Sequence, residues 1–137
     1  MNRLAGLAAA CALALWPLAA AATCLPPDAG QPMTAAGAAR FAAALRMNPS
    51  PVKVGTPFVV DLRVCALDGA KVERLAIDAT MPAHRHGMNY KPKITAQGDG
   101  RHEARGFLFH MPGWWEITLS VYADGKPSHL TYGVEIK

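Results

Sequence analysis

The residues with the greatest chemical reach lie between Met81 and Pro92, in the run Met-Pro-Ala-His-Arg-His-Gly-Met-Asn-Tyr-Lys-Pro. His84, His86 and Met88 are spaced by two. In extended backbone, side chains at i, i+2 and i+4 project to one side. Two imidazoles and a thioether can then converge on one point while Arg85 turns away. Pro82, Gly87 and Pro92 argue for an inter-strand loop over a regular ladder. A second pair, His110-Met111, immediately precedes the Pro112-Gly113 turn. Thioether sulfur is a soft donor that suits copper, Cu(I) above all, and imidazole suits copper as well. A blue-copper centre does not fit, because it needs a cysteine ligand beside its second histidine and axial methionine, and no cysteine is so placed. The same residues admit a plainer reading. His-x-His can simply be solvated in an exposed loop, and Met81, Met88 and Met111 can fill one end of a core. His102, beside the turn residues Asp99-Gly100-Arg101, reads as surface, and His129 falls in or near the last strand. Of the adjacent Trp114 and Trp115, one should enter the core and the other face outward, where it could pack over a cation.

The elements that must hold these side chains read as strands. Phe58, Val60, Leu62 and Val64 share one face against Asp61 and Arg63. Leu75, Ile77 and Ala79 alternate in the same way, as do Ile117, Leu119 and Val121, then Leu130, Tyr132, Val134 and Ile136. Period-two alternation marks half-buried strands. A shorter strand is expected over Ala104 to Phe109. Turn signals separate the runs at Leu67-Asp68-Gly69, Gln97-Gly98-Asp99-Gly100, Met111-Pro112-Gly113 and Ala123-Asp124-Gly125. No helix-period segment is long enough to cross between parallel strands, so the pairing is expected to be antiparallel, in a sandwich or barrel. The alanines of Ala35 to Met47 favour helix by propensity. The Pro-rich extended lead that follows them favours a first strand near Phe41 to Met47.

Met1-Asn2-Arg3 followed by an apolar stretch from Leu4 to about Ala20 and the small residues Ala20-Ala21-Ala22 has the order of a signal peptide. A retained transmembrane helix would want roughly 20 apolar residues and a charged flank, whereas Trp16-Pro17 interrupts this run and no basic stop follows. Lipidation at Cys24 is disfavoured by Thr23 before it. The expected division is a signal peptide over 1–22, an Ala/Pro/Gly-rich arm over 23–39 and a domain over 40–137, with periplasmic or otherwise exported placement and no membrane span after cleavage. The chain has 137 residues and a net charge of +4. Removing the first 22, with Arg3, leaves a mildly basic chain whose charges are scattered. That pattern excludes a nucleic-acid partner, which needs a clustered basic face. The two remaining cysteines, Cys24 and Cys65, read as a disulfide in an oxidising compartment. The rival reading makes both of them thiolate metal ligands.

The segments Val54-Gly55-Thr56-Pro57-Phe58, Met81 to Met88 and Phe109-His110-Met111-Pro112-Gly113-Trp114-Trp115-Glu116 together resemble the YtkA-like family and its FixH-like relatives, over roughly Arg40 to Lys137. The resemblance implies an all-β, immunoglobulin-like antiparallel sandwich of about seven strands, and an association with bacterial copper handling or oxidase assembly. FixH-like proteins keep a membrane anchor, whereas this chain is expected to lose its apolar segment. The expected function is a periplasmic copper chaperone or buffer without catalysis. Its metal ligands would come from His84, His86, Met88, His110 and Met111, and its partner would be an envelope metalloprotein or an oxidase-assembly protein. The alternative is a module that binds another envelope protein without metal. No Ser nucleophile elbow and no paired-carboxylate constellation point to an enzyme. Cleavage after Ala22 would start the mature chain at Thr23, and intact-mass measurement of the exported protein should find that terminus. A chain retaining residues 1–22 would contradict it.

Overall fold

The computed structural model describes residues 24–137; the segment read as a signal peptide lies outside the described residues. Among the described residues there are ten strands. Seven of them are long: β3 (Phe41–Asn48), β4 (Phe58–Ala66), β5 (Arg74–Met81), β7 (Lys93–Gly98), β8 (Arg101–Phe107), β9 (Gly113–Ala123) and β10 (Lys126–Ile136). Three have two residues each: β1 (Gln31–Pro32), β2 (Thr34–Ala35) and β6 (His86–Gly87). They form two five-stranded sheets, in the orders β1-β3-β4-β8-β7 and β2-β10-β9-β5-β6. All pairings are antiparallel. The long strands fall into a four-stranded and a three-stranded sheet in the order of an immunoglobulin constant-type domain. No helix of the described residues is long and apolar enough to cross a membrane.

Register follows the alternation of the sequence. Phe41, Ala43 and Leu45 stand opposite Ala66, Val64 and Leu62 on the inner face of the first sheet. Ile117, Leu119 and Val121 meet Ala79, Ile77 and Leu75 on one side and Tyr132, Leu130 and Ser128 on the other. A one-residue slip would turn these sets to solvent, so burial fixes the pairing. The alanines of 35–47 are therefore strand from Phe41 onward, as the lead into the sandwich suggested. Packing of Phe41 and Leu45 into the core, both essentially inaccessible, overrides local helix propensity. The strand expected over Ala104 to Phe109 begins earlier, at Arg101, and ends at Phe107. The tight turn at Asp99-Gly100, both residues with positive φ, lets the chain reverse sooner.

The arm over 23–39 takes part in the sandwich. From Gln31 it lies along β3, and from Thr34 it lies along β10. Met33 between them is buried where the chain crosses from one sheet to the other. Alternation over so few residues is too short to be legible, which is why the segment reads as patternless. Cys24 and Cys65 form a disulfide with a Cα separation of 6.1 Å, which excludes a thiolate metal site. At the same end Arg40 donates to Asp68 at 2.7 Å and to Asp124 at 2.9 Å, clasping two turns. The hydrogen bond from Arg40 holds the Asp68 carboxyl below the usual carboxylate range. The disulfide closes a span of 41 residues, worth about 3–4 kcal/mol in the chain-entropy model. Replacing both cysteines by serine should lower unfolding stability by about that much in urea titrations. A loss below about 1 kcal/mol would show that the arm is held by its strand pairing alone.

Candidate functional site

At one end of the sandwich β3, β5, β8 and β10 finish and β4, β7 and β9 begin. Three connections meet there: residues 49–57, 82–92 and 108–112. The second carries His84, His86 and Met88, and the third carries His110 and Met111. The two loops share this end, and the ring centroids of His86 and His110 are 5.3 Å apart. His84 lies 5.8 Å from His86 on the other side.

The route by which these rings meet differs from a straight pleat. Met81 ends β5, and Pro82–His84 then make a turn of 3-10 helix. Arg85 is left-handed at φ 54, an uncommon conformation for a residue with a Cβ. Only His86 and Gly87 return to strand, pairing with Met81 and Thr80. His84 therefore approaches His86 across a turn, and the regular i, i+2 projection breaks at Arg85. The proline at the first turn position and the missing ladder account for this.

Exposure falls along the row of imidazoles. His84 is open to solvent, while His86 and His110 are half-buried. Nδ1 of His110 is buried with no hydrogen-bond partner, whereas Nδ1 of His86 lies 3.2 Å from the carbonyl oxygen of Gly87. Trp115 lies under both rings, with centroids 6.0 Å from His86 and 5.5 Å from His110, in edge arrangements. It stacks on Phe109 at 4.5 Å, and its indole N–H donates to the carbonyl of Met111 at 3.0 Å. The stack and that hydrogen bond hold His110, which lies between Phe109 and Met111.

The methionines divide. Met88 is buried in the core, and its N–H donates to the Ala79 carbonyl at 3.3 Å. Met111 packs its side chain partly buried against the core. Met81 was not among the residues singled out as ligands, yet it stands opposite His86 in the strand register and is almost inaccessible. Directly opposed residues have Cβ atoms about 5 Å apart, so Met81 is the thioether nearest His86 by register. Its methyl reaches Gly113, where an added Cβ would lie 3.0 Å from it at a φ of +120°. Two signals could have found this neighbourhood. Met81 continues the inward set Ile77 and Ala79, and Trp115 begins the inward set Ile117, Leu119 and Val121.

The other histidines stand apart. His102 is half-buried where the sequence suggested surface. It faces Leu62 across the strand pair, and its Nδ1 is buried without a partner. Burial pushes its pKa down, partly offset by backbone contact with Gly100. His129 lies on the outer face, with Nδ1 2.9 Å from the Ser120 hydroxyl. Trp114 faces outward, 51% exposed, its ring across Gly133, where an added Cβ would fall 1.9 Å from it. No described group of three or more His, Cys, Asp or Glu residues stands close enough to hold an ion. The fold brings together a pair of imidazoles, a third at the surface, and Met81 opposite His86 in the strand register.

No family model matches the chain, and no curated protein matches it. Among solved structures it is similar to a copper-bound variant of FetP from uropathogenic Escherichia coli, at 15% identity and a TM-score of 0.44. The likeness covers 79% of this chain and 95% of that one. At that level it implies nothing about what this chain binds.

An unpartnered buried ring nitrogen costs about 1–3 kcal/mol, and an apolar group of similar shape removes that cost. His110→Leu should therefore stabilise the metal-free protein by about 1 kcal/mol in denaturant titrations. A destabilised variant would mean that the His110 ring is satisfied or that its packing dominates.

Proposed function

We propose that this is an exported copper-binding protein, a chaperone or buffer without catalytic activity, that holds Cu(I) between His86 and His110. The observation that carries the reading is the buried, unpartnered Nδ1 of His110 beside the ring of His86 at 5.3 Å. Buried polar atoms are almost always paired, and an exception asks for an unseen partner such as an ion. Two imidazole nitrogens each about 2 Å from one ion at a tetrahedral angle set their ring centroids about 5 Å apart, close to the spacing of this pair. Met81 stands opposite His86 in the strand register, and soft sulfur with imidazole favours copper, Cu(I) in particular. Met111, whose carbonyl is engaged by Trp115, serves here through its backbone.

The exposure gradient suggests how such a site would exchange metal. His84, open and 5.8 Å from His86, is placed to take an ion first. His86 and His110, half-buried, would retain it. Transfer to an envelope metalloprotein or oxidase-assembly partner would reverse the order by ligand exchange. Such transfer leaves the oxidation state of the copper unchanged.

The test is a Cu(I) competition titration of the mature protein against a chromogenic chelator, with single alanine variants. One ion should bind per chain. His86→Ala and His110→Ala should each weaken binding by more than about a hundredfold, since even groups that only support a ligand are worth ten- to a hundredfold. His84→Ala should leave the equilibrium within about tenfold and slow metal uptake in stopped-flow traces. Absence of binding, or equal binding by all variants, would overturn the reading in favour of an envelope interaction module.

A further inference from the structure

The histidine-bearing end has a second character on the side of β7 and β8. Tyr90 is 53% exposed and Val54 36%, although both are apolar in body. Tyr90 borders a groove of about 280 Å³, completed by Pro57, Gly106, Phe107 and Leu108. The 49–57 loop is tied to the same place, since the N–H of Gly55 donates to the Phe109 carbonyl at 2.8 Å.

Around this apolar edge the charges are basic. Lys53, Arg85 and Lys93 are exposed, and none makes an ion pair within the described residues. Lys91 and Arg105 are neutralised by Asp78 and Glu103. Lys93 stands directly opposite Arg105 in the strand register and has no acidic partner of its own. Of the acids toward this end that make no ion pair, Glu116 and Glu135 sit beside Trp114 in the other sheet, while Asp61 lies on β4 between Arg46 and Glu103 in the strand register.

We infer that this edge seats on an anionic phospholipid surface, with Tyr90 and Val54 at the headgroup boundary and the free lysines and Arg85 over the lipid phosphates. Amphipathic side chains that keep a polar tip in water and an apolar body out of it suit that boundary. Charge complementarity selects an anionic lipid, to which each basic residue near the surface contributes about a fivefold gain in partition. A protein partner fits less well. A specific interface buries about 800 Å² per side around a packed apolar core, and here the apolar groups are few and set singly among cations. Seating in this way would hold His84 and His86 at the bilayer. The inference itself stands whether or not the chain binds metal.

The experiment is cosedimentation of mature, chelator-treated protein with vesicles of phosphatidylcholine alone or mixed with phosphatidylglycerol. Binding should require phosphatidylglycerol and fall as salt is raised, because exposed charges are screened. Lys53→Ala with Lys93→Ala should weaken it about twentyfold, and Tyr90→Ser should weaken it without changing the salt dependence. Lys71→Ala, at the opposite end, should bind like the parent. Circular dichroism would verify that each variant folds. Equal binding to both vesicle types, no binding, or a Lys53/Lys93 variant that binds like the parent would overturn the inference and leave an acidic protein surface as the candidate.

Discussion

The stack of Trp115 on Phe109, closed by the hydrogen bond from the indole to Met111, is the contact on which the histidine-bearing end depends. It joins the first inward residue of β9 to the loop that precedes that strand, with His110 in between. Both rings are fully buried, and a stacked aromatic pair adds about 0.5–1.5 kcal/mol to the area it hides. The loop is thereby fixed at both flanks, and His110 has little freedom to swing toward water. Its neighbour His86 is fixed from the other sheet edge by pairing with Met81. Two loops far apart in sequence meet because each is anchored to the same core.

The two ends of the sandwich are built on different physics. The end with the Arg40 clasp is closed by ion pairs and by the disulfide, through short turns whose glycines and aspartates accept positive φ. The histidine-bearing end has longer connections, a left-handed arginine, and buried nitrogen without a partner at His110. His102, at the opposite end, carries a buried nitrogen of the same kind, but there it stands alone, whereas His110 has the ring of His86 beside it. This division between a consolidated end and a costly one is common where loops carry function on a rigid scaffold.

Much of this was legible in the residues. Alternation in four runs located β4, β5, β9 and β10, and the turn tetrads placed the reversals, since burial on one face writes a period of two into any half-covered strand. A sandwich gathers its connections at two ends, so its fold class allows the His86 and His110 loops to meet without fixing that they do. What was hidden is equally specific. β1, β2 and β6 are too short to show a period. The left-handed Arg85 that bends the His84–His86 segment carries no sequence mark, because such a conformation usually announces itself with glycine or asparagine. Met81 read as filler, since its role as the thioether beside His86 depends on a strand pairing only two residues long. His102 was misread because its neighbours are turn residues, while its own side chain points inward across from Leu62.

The N-terminal arm does something beyond lengthening two sheets. β1 lies along the free edge of β3, and β2 lies along the free edge of β10. Those are two of the four rims of the sandwich, and an open rim is where a foreign strand can add. Two-residue pairings are feeble by themselves, and the bond from Cys24 to Cys65 tethers the segment that makes them. Oxidation therefore acts as a latch on the molecule's own protection against fibril-like association. In a reducing cytoplasm that latch would be open, and in an oxidising compartment it would be shut.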